Sequence, residues 1–270
     1  MTADAATRYI ELLAECLSRS LFIDEEPHRA GVSDVLAPEQ LAVIRAHGWQ
    51  VVEIGGDAAQ RAEGRDWPPF AETMIGARRL ANLRQCVQQV LDEGVPGDLI
   101  ETGAWRGGAT ILMRGILAAY GVTDRCVWVA DSFEGLPPPD ADRYPADDGV
   151  DLSEVGILKV DADRVRANFA RYGLLDDQVR FLEGWFSDTL PDAPIESLAV
   201  MRLDGDLYES TTDALTALYP KLSPGGFVIV DDYGAFEPCR RAVDDYRAAH
   251  LIDDPIEEVD WTGVCWRRGT

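Results

Sequence analysis

The sequence contains no run of apolar residues long enough to span a bilayer. Its first residues, MTADAATRYI, lack the basic start and apolar centre of a secretory leader. Cysteine is sparse and scattered. Cys16, Cys86, Cys126, Cys239 and Cys265 are odd in number and form no CxxC pair, which argues against a disulfide framework or a thiolate zinc site. Scattered, unpaired thiols fit a reducing cytosol, and a cytoplasmic location is the expectation. Positive charge is also short: 25 lysines and arginines face 48 aspartates and glutamates, a formal charge of −23. A field of that sign repels nucleic acid and anionic membranes, and it says little about a neutral small-molecule substrate. Repeats and low-complexity tracts are absent. The 270 residues, 46% of them hydrophobic, suffice for one large domain or for a core domain with an accessory segment.

What is present is an alternation of elements. Apolar positions at helical spacing run through residues 7–22, including Ile10, Leu13, Leu17 and Leu21. A second helix is expected at about 38–47 and an irregular connector at GRDWPPFAET. A long amphipathic helix follows at IGARRLANLRQCVQQVLDEG, stopped by Gly94 and Pro96. From residue 97, GDLIETG, CVWVADSF, QVRFLEGW, LAVMRLD and GGFVIVDD read as strands, with helices such as GGATILMRGILAAYG and STTDALTALYPKL between them. Strands so separated imply parallel βαβ units in a doubly wound α/β sheet. IEEVDW and TGVCWRR read as a C-terminal antiparallel hairpin turning at Thr262 and Gly263. The expected division is an N-terminal helical and lid segment, residues 1–80, and a catalytic domain, residues 81–270.

LIETGAWRGGAT, residues 99–110, sets a strand against a glycine-rich helix start. A plain packing turn is one reading, since any α/β fold needs small residues there. A nucleoside cofactor is the other. Glu101 ends the strand, Gly103 permits close backbone approach, and Asp131 ends the next strand, where an acid can accept hydrogen bonds from ribose hydroxyls. The dinucleotide pattern G-x-G-x-x-G fails, because Ala104 and Trp105 follow Gly103. Glu101 would repel a phosphate and welcome a cationic amino-acid headgroup. S-adenosylmethionine, with a ribose, a sulfonium and no phosphate, fits better than NAD.

Two acid pairs end later strands: Asp204 and Asp206 in RLDGDLYES, Asp231 and Asp232 in GGFVIVDDY. In a strand, residues i and i+2 face one way, so the first pair can serve one site beyond the sheet. Helix capping would explain either pair alone. Crowded carboxylates raise one another's pKa unless a cation intervenes, and a hard divalent ion, Mg²⁺ before Ca²⁺ or Mn²⁺, answers that need. A haloacid-dehalogenase-type phosphatase also uses D-x-D and a later DD, but here one helix separates the motifs and Lys221 is the only lysine between them. A sugar-nucleotide dehydrogenase lacks its Tyr-x-x-x-Lys pair, and a non-catalytic nucleotide sensor gives no reason for converging acids. His28, His47 and His250 lie outside these blocks, so no histidine base is assigned.

DWPPFAETMIGARRLANL, VPGDLIETGAWRGGAT, DSFEGLP, EGWFSDTLP, RLDGDLYEST and GGFVIVDDY together resemble the macrocin O-methyltransferase family, which methylates deoxysugar hydroxyls of bacterial natural products. The resemblance implies a class I methyltransferase Rossmann-like sheet, S-adenosylmethionine, Mg²⁺ and a homodimer. It implies that Asp204, Asp231 and Asp232 hold the metal and that Asp206 is the general base. The expected cofactor set is Met74, Glu101, Thr102, Gly103, Thr110, Asp131, Ser132, Gly184 and Trp185, the last either against adenine or a simple core tryptophan. Expected activity is methyl transfer to a deoxysugar hydroxyl of a glycosylated natural product, with a catechol-like phenol as the alternative acceptor. Glu72 stands where the family commonly has histidine, which would alter acceptor recognition if it faces the substrate, and the resembling motifs place no counterpart for residues 23–62. The polar loop PPPDADRYPADDGVDLSEV is expected to order over the site on binding.

Overall fold

The computed structural model describes residues 3–29, 36–49 and 51–269. Helix α1 (Ala3–Leu17) is followed by a 3₁₀ turn (Ser20–Glu25), β1 (Pro27–Arg29), α2 (Pro38–Ala46), β2 (Val52–Ile54) and α3 (Ala58–Glu63). The alternating region comprises α4 (Ala77–Asp92), β3 (Asp98–Thr102), α5 (Gly108–Tyr120), β4 (Val127–Asp131), α6 (Ala162–Arg171), β5 (Val179–Glu183) and α7 (Phe186–Thr189). It continues with β6 (Leu198–Leu203), α8 (Tyr208–Leu218), β7 (Leu222–Val230), α9 (Glu237–Ala249), β8 (Glu257–Glu258) and β9 (Val264–Arg267).

Strands β1 and β2 form a small antiparallel ladder of their own. The main sheet has seven strands in the order β5-β4-β3-β6-β7-β9-β8. The first five are parallel; β9 runs antiparallel to both β7 and β8. The topological switch lies between β3 and β6, which are neighbours in space and far apart in sequence. Ligands of such sheets sit beyond the carboxyl ends of the strands at that point.

The sheet is buried on both faces, which is why its strands read as continuous apolar runs. Leu99, Val127 and Val129 join α1, α4 and α5 in one core, through Ile10, Leu83, Val87 and Ile111. Ile100, Trp128 and Ala130 point the other way, into a core with Leu215 of α8, Val243 of α9 and Trp266 of β9. Helix α1 thus shares the core of the sheet, and its fully buried Ile10 and Leu17 each contribute roughly 1.5–3 kcal/mol. It stops at Leu17, short of the residue 22 expected from periodicity. Ser18 Oγ donates back to the Ala14 carbonyl, and Arg19 takes a left-handed conformation (φ 56°) that turns the chain. The polypeptide between 64 and 76 is irregular, as GRDWPPFAET suggested.

Candidate active site

One cavity of about 750 Å³ opens at the carboxyl ends of β3, β4, β6 and β7. Met74, Glu101, Gly103, Asp131, Ser132 and Trp185 of the expected cofactor set line it, together with all four aspartates Asp204, Asp206, Asp231 and Asp232.

At the β4 end, Asp131 organises the turns around it. Its Oδ2 accepts the main-chain N–H groups of Ala104 (2.7 Å) and Trp105 (3.2 Å), and its Oδ1 accepts that of Phe133 (2.7 Å). Trp105 (φ 47°) and Phe133 (φ 58°) are left-handed, the conformation that lets both turns close on one carboxylate. Burial pushes the Asp131 carboxyl up, and the three N–H groups oppose that shift. Ser132 Oγ donates to the Gly135 carbonyl, starting the loop over the cavity. Three expected cofactor residues do not line the cavity. Thr102 is buried in β3 and gives its carbonyl to Asp204 N–H; Thr110 closes the glycine turn onto Gly107; Gly184 N–H donates to the Asp131 carbonyl. Gly103 (φ 82°), which lines the cavity, is also required by packing. A Cβ there would overlap the Asp204 carbonyl, so the glycine lets β3 and β6 close on each other.

At the β6 and β7 ends, the aspartates converge by turns, and strand alternation plays no part. β6 ends at Leu203, so Asp204 and Asp206 both lie beyond it, and Asp206 is left-handed (φ 55°) with its N–H donating to Asp232 Oδ2 (3.3 Å). A carboxylate oxygen from each of Asp204, Asp231 and Asp232 lies within 4.8 Å of the others. Two arginines that motif reading did not single out occupy the centre. Arg202, 1% exposed, donates to Glu101 Oε1 (2.5 Å), Asp204 Oδ2 (2.8 Å) and Asp231 Oδ1. Arg79 of α4 donates to Asp231 Oδ2 and to Asp260 Oδ2 (3.0 Å). Arg202 left one signal, a cation inside an otherwise apolar strand; Arg79 looked like any polar position of an amphipathic helix.

The arginines divide the acids electrostatically. Burial pushes Asp231 up, but the two guanidinium groups prevail and hold it below the usual carboxylate range. Asp232 lies well above that range through burial and the charges of Asp206, Asp204 and Asp231. Asp206 is pushed up to about 8 by burial, then by Asp204 and Asp231. Glu101 also reaches about 8, from burial that Arg202 only partly offsets. Its oxygens are taken by Arg202 and by the Thr110 N–H (3.1 Å), so the headgroup role expected for it is already shared with the protein. Among the described residues, Glu101, Asp204, Asp206, Asp231 and Asp232 share two guanidinium partners, an excess of three negative charges when ionised, before Asp260 is counted. Hard oxygen donors at this spacing fit a divalent cation.

Glu72 does not turn its carboxylate to the acids. Oε1 accepts from Arg171 (2.9 Å) and Oε2 from the Tyr172 hydroxyl (2.9 Å), while its carbonyl accepts the Gly108 N–H (2.9 Å) and docks the 64–76 segment on the glycine turn. Arg106 strengthens that docking through the carbonyls of Pro68 and Ala71. The long acidic loop lies over the cavity, where Leu136, Pro138, Leu152 and Val155 line it. Buried Asp147 caps α8 by accepting the N–H groups of Tyr208 (2.6 Å) and Glu209 (3.1 Å), and Trp105 Nε1 donates to the Ile157 carbonyl. His47 and His250 do not line this cavity.

Comparison with known proteins agrees with this geometry. The model of the macrocin O-methyltransferase family (TylF) matches residues 6–268, which overturns the expectation that residues 23–62 lack a family counterpart. The chain is 54% identical over 268 residues, 99% of its own length and 95% of the relative's, to the 8-demethyl-8-(2,3-dimethoxy-alpha-L-rhamnosyl)-tetracenomycin-C 4'-O-methyltransferase of Streptomyces olivaceus. It is 60% identical over 209 residues, 77% of this chain and 80% of the relative, to the demethyldecarbamoylnovobiocin O-methyltransferase of Streptomyces niveus. It is 56% identical over 211 residues, 77% and 83%, to the mycinamicin III 3''-O-methyltransferase of Micromonospora griseorubida. The structure of the O-methyltransferase NovP superposes with a TM-score of 0.87 at 49% identity, over 98% of this chain and 100% of that one. These findings set aside the phosphatase reading. The chain belongs to the macrocin O-methyltransferase family, and it is an S-adenosylmethionine-dependent O-methyltransferase.

Proposed function

We propose that the protein moves the methyl group of S-adenosylmethionine to a deoxysugar hydroxyl of a glycosylated natural product, with Mg²⁺ as its resident ion. The observation that carries this reading is the meeting of three carboxylates within 4.8 Å in the same cavity as the Asp131 turn. The relatives named above act on glycosylated tetracenomycin, novobiocin and mycinamicin compounds, which supports a sugar acceptor over a catechol. No helix of the described residues is long and apolar enough to cross a membrane, and we place the enzyme in the cytoplasm as a homodimer.

Asp204, Asp231 and Asp232 would hold the ion, Arg202 and Arg79 fixing Asp231 between them so that its position does not depend on the metal. When bound, the ion supplies Lewis acidity that makes a nearby alcohol more acidic. Asp206 then accepts the hydroxyl proton at its carboxylate as the oxygen attacks, the C–S bond breaks and S-adenosylhomocysteine leaves. Asp131 orients the ribose, and Met74 and Trp185, which line the same cavity, contact the cofactor. The loop fastened by Asp147 excludes water. In-line placement of acceptor and sulfonium supplies much of the rate.

Methyl transfer from labelled S-adenosylmethionine to a panel of glycosides, before and after exhaustive chelation, tests this. Activity should vanish on chelation and return with Mg²⁺. Full activity in the chelated enzyme would end the metal role, and methylation of a free catechol in preference to every glycoside would end the acceptor assignment.

A further inference from the structure

The carboxyl edge of the sheet is laid out as a line. Asp131 ends β4, Gly103 follows β3, Asp204 follows β6, Asp231 and Asp232 follow β7, and the β8–β9 turn comes next. That turn is tied to the acids: Thr262 Oγ1 donates to the Asp231 carbonyl (2.8 Å). The residue before it is Trp261. An acceptor with its reacting hydroxyl at the acids and the cofactor on the β3–β4 side has its remaining bulk directed past β7, towards Trp261.

There the wall changes character. Trp261 and Trp67 both line the cavity yet are 41% and 53% exposed, so they stand at its solvent end. Trp261 is held in orientation, with Nε1 donating to the Glu63 carbonyl (2.8 Å) and the Arg65 guanidinium 4.2 Å from its ring centre. Trp67 has no hydrogen-bond or ring partner among the described residues. Two indoles left partly in water at the mouth of the cavity, Trp261 with the Arg65 guanidinium over its ring, itself paired with Glu63 Oε2 (3.1 Å), form a surface suited to a flat, electron-rich partner. A puckered aliphatic ring would gain contact area there but no stacking.

Given the sugar-methylation reading, we infer that the acceptor carries a flat phenolic polycyclic aglycone, which stacks on Trp67 and Trp261 with Arg65 facing its oxygens, while the sugar reaches the acids. Trp67 is therefore a specificity-determining residue with no part in the chemical step.

The test compares two acceptors that share a sugar, an anthraquinone rhamnoside and methyl rhamnoside, with the full chain, S-adenosylmethionine and Mg²⁺. The wild type should show a KM at least about tenfold lower for the anthraquinone glycoside. Trp67→Ala should raise that KM about tenfold with kcat within about twofold, leave methyl rhamnoside unaffected, and be largely rescued by Trp67→Phe. Equal wild-type KM values, or equal losses on both acceptors in Trp67→Ala, would overturn the platform. Chelation-sensitive methylation of methyl rhamnoside in that case would leave the sugar-methylation reading standing. No methylation of either glycoside would remove that reading and the platform with it.

Discussion

The two ends of the cavity hold their carboxylates in opposite ways. Asp131 is held by three main-chain N–H groups from residues at most 27 positions away. Asp231 is held between two guanidinium groups, one of them from Arg79, 152 positions distant. A backbone cradle keeps a single acid ionisable without a counter-charge. It suits a ligand that brings hydroxyls. A charged clamp suits a place where several acids must stay together and accept further positive charge. The family resemblance implies a ribose at the first end and a divalent ion at the second.

The sharpest way to break the comparison is to remove the clamp. Arg202→Met leaves buried Glu101 and Asp231, and half-buried Asp204, without their shared cation, and breaking a buried ion network costs about 3–5 kcal/mol. In a chain of this length that is on the order of 10 °C in Tm. A loss under about 1 kcal/mol in thermal denaturation would mean that the acids relax or protonate at little cost, and that the clamp is not structural.

The contrast also explains how much could be read beforehand. The parallel sheet, its hairpin and the acid-bearing strand ends were legible because buried strands and amphipathic helices carry their periodicity locally. The place of Asp131 at the end of β4 was legible for the same reason, whereas the main-chain N–H groups it accepts from the adjoining turns were not. What stayed hidden depends on contacts between distant segments. Arg79 meets Asp231 and Asp260 only once α4, β7 and the β8–β9 turn are assembled. Gly103 serves the approach of β3 to β6, which the linear order of the strands does not show. Glu72 lies at the junction of α1, α5 and α6, where its carboxylate finds Arg171 and Tyr172 and never faces the acids. The irregular 64–76 connector carried no periodic signal, yet it supplies Trp67 and Met74 to the cavity wall.

A second break separates holding from chemistry within the acid end. Asp206 has no arginine partner among the described residues, unlike Asp204 and Asp231. Asp206→Asn should therefore keep Mg²⁺ and S-adenosylmethionine affinity by calorimetry while turnover falls about 10³-fold, within the ~10²–10⁴ range of a lost general base. Turnover within tenfold of wild type would shift proton acceptance to another group.

The mildest expected effect belongs to the backbone-cradled end. Asp131→Asn keeps an oxygen for the turns but puts an amide where one carboxylate oxygen accepted main-chain N–H groups, and it removes the charge that strengthens hydrogen bonds to hydroxyls. Charged hydrogen bonds exceed neutral ones by roughly 1–1.5 kcal/mol, so KM for S-adenosylmethionine should rise about tenfold. With the cofactor at this end, as proposed above, and the acid cluster left intact, kcat at saturating cofactor and the Mg²⁺ requirement should stay near wild type. A large loss of kcat, or a changed metal requirement, would show that the two ends act as one electrostatic unit, and the contrast between cradle and clamp would then describe only how each carboxylate is held.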